Sequence, residues 1–124
     1  MKTLGDLTLR PIPAVEPETS LEEVTQMMED EPLHAVALVG DSMYMGLFDE
    51  DTLASNLVPP GSDPSLLAVG PYVHPARVVG TPEMPVEVAL AHMTRKEVRL
   101  IPVVRNRTFV GVLTTEDLER AVEK

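Results

Sequence analysis

The sequence predicts a mixed α/β (α+β) fold of two β-α-β-β-α repeats, packed sheet to sheet around a pseudo-two-fold axis. Three observations support this. The pattern of apolar, turn and capping residues recurs after 65 residues, strand-like and helix-like apolar spacings alternate within each half, and a proline-rich connector separates the halves. The 124 residues, 44% of them apolar, suffice for one compact core. A single repeat of roughly fifty residues is too small to bury its own sheet face, and pairing two repeats solves that problem.

The recurrence needs no gap when the sequence is compared with itself at an offset of 65 residues. Identity is low, but the order of apolar, turn and capping positions is kept. We therefore interpret the chain as an internal duplication. Identical pairs include Pro17 with Pro82, Glu22 with Glu87, Met28 with Met93, Val39 with Val104, Gly46 with Gly111 and Leu53 with Leu118.

In the first repeat, prolines favour extended backbone over residues 8–16, which we interpret as a short edge strand. Ser20 begins a capping box, and helical apolar spacing continues from there until Pro32. Two apolar stretches flanking a turn at residues 40–42 predict two strands. These strands cover residues 35–39 and 44–48, and a short helix capped by Asp49 covers about 50–56.

A connector over residues 57–71, with one helical turn at 65–68, leads to a second repeat of the same order. Its predicted elements are an extended segment at 73–79, a helix over about 85–95, a strand at 100–104, a turn at 105–107, a strand at 108–113 and a closing helix.

The junction before the closing helix combines a hydroxyl and a carboxylate. It reads Gly-Val-Leu-Thr-Thr-Glu-Asp over residues 111–117, with Thr114 as the N-cap and Asp117 in the first helical turn. Residues three apart on a helix are neighbours, so both side chains face one small space beside unpaired backbone N–H groups. Thr-x-x-Asp is also close to a capping box, which needs no ligand, so a cap and a binding site both explain the pattern.

Composition and charge exclude several classes of protein. The net charge of −10 lies entirely in residues 1–60, which carry two basic and twelve acidic side chains. With no basic stripe and 3% aromatic residues, the chain lacks a nucleic-acid-binding surface. There is no cysteine, and no apolar run is long enough for a signal peptide core or a membrane span. We expect a soluble cytoplasmic protein that binds neither nucleic acid nor membranes.

Motifs for catalysis and for metal binding are also missing from the sequence. There is no nucleophile-elbow serine and no phosphate-binding glycine loop, and the acidic residues 49–51 are typical of a solvated helix start. The three histidines are isolated in sequence and do not have metal-ligand spacing. We therefore expect neither an enzyme nor a metal site.

The repeated unit resembles the CBS domain, named after cystathionine β-synthase. The resemblance rests on Pro-x-Thr-Ser-Leu at 17–21, Ile-Pro-Val-Val at 101–104 and Gly-Val-Leu-Thr-x-x-Asp at 111–117. It implies one tandem CBS module over residues 1–124, with repeat 1 at about 8–57, a linker at about 58–71 and repeat 2 at about 72–124. Such pairs are regulatory modules that usually bind an adenine nucleotide (AMP, ADP or ATP) in a cleft between the repeats, and sometimes S-adenosylmethionine.

The resemblance implies that Thr114 and Asp117 hold the ribose. A carboxylate can accept both vicinal ribose hydroxyls, and the helix N-terminus supplies further donors. Pro102 gives up a ladder donor, which is tolerable where a strand borders a cleft, and Ile101 would then offer an apolar wall to adenine. A plain core role explains Ile101 and Pro102 equally well.

Basic residues for the phosphates are suggested by the duplication and by the family. His34 and Arg99 occupy equivalent places just before a buried strand, where the family often has basic residues, although Leu100 stands immediately before the Ile-Pro pair. His74 takes a place where the family commonly has Thr or Ser before proline, and Arg77 is nearby. We expect these four basic residues to be ligand contacts.

The first repeat departs from the motif. At the 65-residue offset, Asp49 stands where the second repeat has Thr114, Thr52 stands in the place of Asp117, and Ala37 replaces Pro102. We therefore expect one nucleotide per chain.

A sensor without an effector domain must act on another chain, so we expect an unidentified effector protein. Tandem CBS pairs commonly form homodimers through their helices, and we expect a homodimer here. The apolar residues that suggest it are Leu53, Leu57, Leu118 and Val122. The alternative functions are a nucleotide-free scaffold for oligomerisation or docking and a sensor that binds S-adenosylmethionine.

Overall fold

The computed structural model describes residues 2–49, 61, 63–72 and 78–123. The helix predicted over about 50–56, with its Leu53, and the candidate ligand residues His74 and Arg77 lie outside these ranges. The described residues form two compact units. One unit is Ile12–Pro75, and the other joins Met1–Pro11 to Ala76–Lys124.

The described residues of the unit Ile12–Pro75 contain a three-stranded sheet and one α-helix. Strand β1 (Ala14–Val15) pairs in parallel with β2 (Ala35–Gly40), which pairs antiparallel with β3 (Met43–Asp49). Helix α1 (Leu21–Asp30) begins after Ser20, whose hydroxyl accepts a hydrogen bond of 3.1 Å from the Glu23 N–H. This cap satisfies one of the unpaired donors at the helix start. The core consists of Leu21, Val24, Met28, Val36, Leu38, Phe48 and Val69.

The other unit is built around a two-stranded hairpin and two helices. Helix α2 (Val86–Lys96) precedes strand β4 (Leu100–Arg105), which pairs antiparallel with β5 (Thr108–Thr114) before helix α3 (Thr115–Val122). Because α2 and α3 both have apolar faces, their buried side chains meet in one core with those of the strands. The core residues are Leu4, Val78, Val86, Ala89, Met93, Ile101, Val103, Leu113 and Leu118.

The internal duplication is confirmed by the backbone. Ala35 pairs with Asp49 in the first hairpin, and Leu100 pairs with Thr114 at the equivalent place in the second. Both ladders shift register at equivalent points, between residues 38 and 39 and between 103 and 104. The buried helix residues also coincide at the same offset, with Leu21, Val24 and Met28 matching Val86, Ala89 and Met93.

The edge strand predicted over residues 8–16 is wrong in extent. Only Ala14–Val15 form a strand there, because Pro11 and Pro13 have no N–H to donate to a ladder. Arg10 instead forms an isolated antiparallel bridge with Val112 of β5. The helical turn predicted at 65–68 lies at Pro64–Leu66, as a 3-10 helix.

Candidate functional site

The junction of β5 and α3 forms a complete capping box. The Thr114 hydroxyl accepts a hydrogen bond of 3.1 Å from the Asp117 N–H, and an Asp117 carboxylate oxygen accepts one of 3.0 Å from the Thr114 N–H. Thr114 has extended backbone angles, as an N-cap requires. The cap that the sequence allows is therefore formed, and it fixes the Asp117 carboxylate at the helix start.

Two arginines bind the same carboxylate. Arg10 forms a two-point contact, with Nε 2.8 Å from Oδ2 and Nη2 2.8 Å from Oδ1 of Asp117. Arg120, one turn further along α3, donates from Nη2 to Oδ1 at 2.9 Å. The Asp117 side chain is 13% exposed, whereas that of Arg10 is 45% exposed. Asp117 is thus a largely enclosed anion held by cations at the surface.

The backbone next to Gly111 positions Arg10. The Arg10 N–H donates to the Val112 carbonyl and the Arg10 carbonyl accepts from the Val112 N–H, both at 2.9 Å. A Cβ atom at position 111 would lie only 2.8 Å from the Leu9 Cβ, and Gly111 has φ of +157°. Glycine at position 111 therefore leaves room for the N-terminal segment, and this segment places Arg10 within hydrogen-bonding distance of Asp117.

These contacts shift both ionisation equilibria in favour of the charged forms. The hydrogen bond from Arg10 holds the pKa of Asp117 well below its usual value, with further contributions from the Thr114 N–H and hydroxyl. The same hydrogen bond raises the pKa of the Arg10 guanidinium. Asp117 is therefore a carboxylate, an acceptor of hydrogen bonds, throughout the neutral pH range.

Pro102 lies where its missing donor costs the hairpin nothing. Its partner Val112 directs both backbone groups to Arg10, so this pair exchanges no hydrogen bond across β4 and β5. In the first repeat the equivalent Ala37 donates to the Pro13 carbonyl at 2.9 Å. Pro102 has no N–H, so it cannot make the equivalent bond to the carbonyl of Val78, the residue that corresponds to Pro13 at the 65-residue offset.

The CBS-domain family model matches the chain twice, over residues 4–59 and 74–124. The chain belongs to the CBS-domain family. Each match corresponds to one copy of the duplicated pattern, so the protein is a tandem CBS pair.

Known CBS proteins are similar over nearly the whole chain. The CBS domain-containing protein YhcV of Bacillus subtilis is 23% identical over 118 residues, which are 95% of this chain and 84% of YhcV. The crystal structure of CBSX2 in complex with AMP has a TM-score of 0.79 at 18% identity and covers 99% of this chain and 97% of its own. Hypoxic Response Protein I with two coordinated zinc ions has a TM-score of 0.76 at 22% identity, with 96% and 98% covered. At these identities the structural matches establish the fold.

In the second CBS repeat, Arg99 lies beside the capped helix start. Its carbonyl accepts a hydrogen bond of 3.0 Å from the Thr115 N–H, and its side chain is exposed. The backbone of Arg99 thus lies beside the cap that Thr114 and Asp117 form. Ile101 is different, because its side chain has no exposed surface and belongs to the core cluster. This burial fits the core interpretation of Ile101, and its role against adenine stays a prediction.

In the first CBS repeat, His34 is exposed just before β2, as Arg99 is just before β4. His34 has a positive φ of 51°, which Arg99 does not share. Asp49 ends β3 as Thr114 ends β5, so the substitution of a carboxylate for the N-cap hydroxyl falls at an equivalent place in the backbone.

The sequence-based prediction omits Arg10 and Arg120. Arg120 is three residues beyond Asp117, a spacing that by itself suggests an ion pair on a helix. Arg10 is 107 residues away from Asp117, and only the bridge to Val112 brings it there. Its one signal in the sequence is that Lys2 and Arg10 are the only lysine and arginine residues among the first sixty.

The described residues hold neither a metal-ligating cluster nor a membrane-spanning helix. Within residues 2–49, 61, 63–72 and 78–123, no group of three or more His, Cys, Asp or Glu side chains is placed to hold a metal ion. No helix in the same residues is both long and apolar enough to cross a bilayer.

Proposed function

We propose that this CBS pair is a regulatory module that binds an adenine nucleotide at its second repeat, where Asp117 accepts the ribose hydroxyls. The proposal rests on the Asp117 carboxylate at the start of α3, which is held by the capping box and largely enclosed by its neighbours. A vicinal diol offers two O–H donors to two such oxygens. The family and its AMP-bound structural relative support an adenine nucleotide as the ligand.

Backbone and charge at the second repeat suit the other parts of a nucleotide. The Val78 carbonyl, to which Pro102 has no N–H to donate, is an acceptor suited to the exocyclic amine of adenine. The exposed Arg99 side chain beside the start of α3 is suited to a phosphate, since a guanidinium binds phosphate with two parallel hydrogen bonds. His74, Arg77 and His34 remain further candidates for phosphate contacts.

The test is calorimetric titration with AMP, ADP, ATP and S-adenosylmethionine on the wild type and on Asp117→Asn. Losing hydrogen bonds to a charged group costs about 1.5–3 kcal/mol, so Asp117→Asn should weaken binding by about 10- to 150-fold. Asp6→Asn is a matched control, because Asp6 closes an equivalent Thr-x-x-Asp cap by accepting from the Thr3 N–H at 2.9 Å. Unchanged affinity in Asp117→Asn would exclude the ribose role.

A ligand-free scaffold is the second candidate, and one observation favours it. Asp117 is already bound by Arg10, Arg120 and Thr114, as a purely structural cap would be. Thermal melts separate the two functions, since a ligand at 100 times its dissociation constant stabilises by about 2.7 kcal/mol. No change of melting temperature with any of the four ligands would favour the scaffold.

The output of the module is proposed to be carried by another chain. We propose a non-catalytic, cytoplasmic homodimer that needs no metal and changes its contact with an effector protein when nucleotide binds. An effector can be found by pull-down with and without AMP, using Asp117→Asn as the nucleotide-insensitive bait.

A further inference from the structure

The Asp117 carboxylate has no hydrogen-bonding capacity left for a ligand. A carboxylate offers about four lone-pair positions. In this structure Oδ2 accepts from Arg10 Nε and the Thr114 N–H, and Oδ1 accepts from Nη2 of Arg10 and of Arg120, at 2.8 to 3.0 Å. A ribose diol therefore cannot be added to this arrangement. It must replace donors that are already present.

The two hydrogen-bond donors of Arg10 are the ones that a ribose diol could replace. The Thr114 N–H belongs to the helix cap, and Arg120 supplies a single bond to one oxygen. Arg10 places one donor on each carboxylate oxygen, which is the pattern that two vicinal hydroxyls would make. Its side chain is 45% exposed, so it can leave Asp117 for solvent without leaving a cation buried.

We propose that Arg10 is an internal competitor of the nucleotide ribose for Asp117, so that ligand binding releases the Arg10 side chain. The proposal rests on the proposed function and adds a residue that lowers ligand affinity. Because the Arg10 backbone is bound to Val112 while its side chain reaches α3, the exchange frees a guanidinium at a fixed place on the surface. Occupancy of the site is thereby converted into a change of surface charge that a partner can recognise.

The experiment titrates adenosine and AMP into the wild type, Arg10→Ala, Arg10→Lys and Arg105→Ala. Adenosine is the main probe because it carries the ribose without a phosphate, so losing a positive charge does not directly weaken its binding. Arg10→Ala should bind adenosine about 2- to 5-fold more tightly than the wild type. Arg10→Lys keeps the charge but cannot form the two-point contact, so a smaller gain is expected. Arg105→Ala removes an exposed arginine at the end of β4 and should match the wild type.

Ionic strength gives a second readout. Going from about 0.01 M to about 0.15 M salt shortens the Debye length from about 30 Å to about 8 Å and weakens the Arg10–Asp117 pair. Adenosine is uncharged, so its affinity for the wild type should rise with salt, whereas its affinity for Arg10→Ala should stay nearly constant. A simple binding site for a neutral ligand would not show this difference.

The outcomes separate the competitor from the proposed function. If adenosine binds only to Arg10→Ala, or binds to it more tightly than to the wild type, the result supports the role of Arg10 as a competitor. Equal or weaker adenosine binding by Arg10→Ala, with AMP still bound by the wild type, overturns the competitor and leaves the proposed function standing. If neither adenosine nor AMP binds any of the four proteins at millimolar concentration, the proposed function fails and the competitor fails with it.

Discussion

Arg10 and Val112 exchange both of their backbone hydrogen bonds, each 2.9 Å long, although 102 residues separate them. This bridge attaches the N-terminal segment to β5 directly beside Gly111. A side chain at Gly111 would meet Leu9 at 2.8 Å and the Arg10 carbonyl at 3.1 Å. Gly111 of the motif therefore has a structural role that does not depend on any ligand, because it allows the N-terminal segment to pack against β5.

Gly111→Ala should lower the free energy of unfolding by about 1–3 kcal/mol, the usual cost of overpacking a tight contact. Both the Leu9 contact and the φ of +157° at Gly111 oppose the new methyl group. Urea denaturation measures the change. Val110→Ala is the neighbouring control, because Val110 is an exposed residue of the same strand and its substitution should cost no more than about 0.5 kcal/mol. Equal stability of Gly111→Ala and the wild type would contradict the close approach.

Stability should depend on Asp117 at acidic pH. The pKa of Asp117 is lowered in the folded protein, first by the Arg10 hydrogen bond. A group with a lowered folded pKa stabilises the fold above its unfolded pKa of about 3.9 and loses this contribution as the pH falls. Between about pH 5 and pH 2, the unfolding free energy of the wild type should therefore fall more steeply than that of Asp117→Asn.

Urea denaturation across that pH range tests this prediction. Arg10→Ala removes the main cause of the shift, so its curve should lie between the other two. Arg105→Ala corrects for the loss of one positive charge elsewhere on the surface. Parallel curves for the wild type and Asp117→Asn would show that the Arg10 contact does not hold the carboxylate in its ionised form.

A homodimer stays a prediction, but the structure reduces the set of residues that could form its interface. Leu118, one of the apolar residues that suggest a helical interface, is fully buried in the core of its own unit and cannot contact a partner. Val122 is 42% exposed on the same helix. Light scattering at micromolar concentration should give twice the chain mass of 13.5 kDa, and Val122→Asp should reduce it towards the monomer. Leu66→Asp, at an 82% exposed apolar residue of the other unit, is the control that should remain dimeric. A monomeric wild type would contradict the prediction.

The sequence predicts the fold well because the positions that recur at the 65-residue offset are those that pack in the core. Buried positions 21, 24 and 28 reappear at 86, 89 and 93, and both hairpins keep one register, so periodicity and offset are enough to find them. The capping box is equally local. The bond between Arg10 and Asp117 is not, since no spacing rule joins residues so far apart. Proline at positions 11 and 13 favours extended backbone, but it cannot indicate which strand that backbone will join.

The last prediction is that each chain binds one nucleotide, at the second repeat. Asp49 and Thr114 end equivalent strands in the same register. The two residues therefore truly correspond, and the change from a hydroxyl to a carboxylate does not result from misaligning the two repeats. At the 65-residue offset the sequence has Thr52 in the place of Asp117, and a neutral hydroxyl is a weaker acceptor for a diol than two charged oxygens.

The backbone and the charge of the first repeat point the same way. Ala37 keeps the N–H that Pro102 lacks and donates it to the Pro13 carbonyl, so that acceptor is already used. The first sixty residues also carry the whole net charge of −10, which opposes the approach of phosphates. Titration with AMP should give a stoichiometry near one per chain, and Asp117→Asn should weaken that single site by about 10- to 150-fold. Two comparable sites per chain would mean that Asp49 reaches the ribose from the cap position and that the exchanged side chains are functionally equivalent.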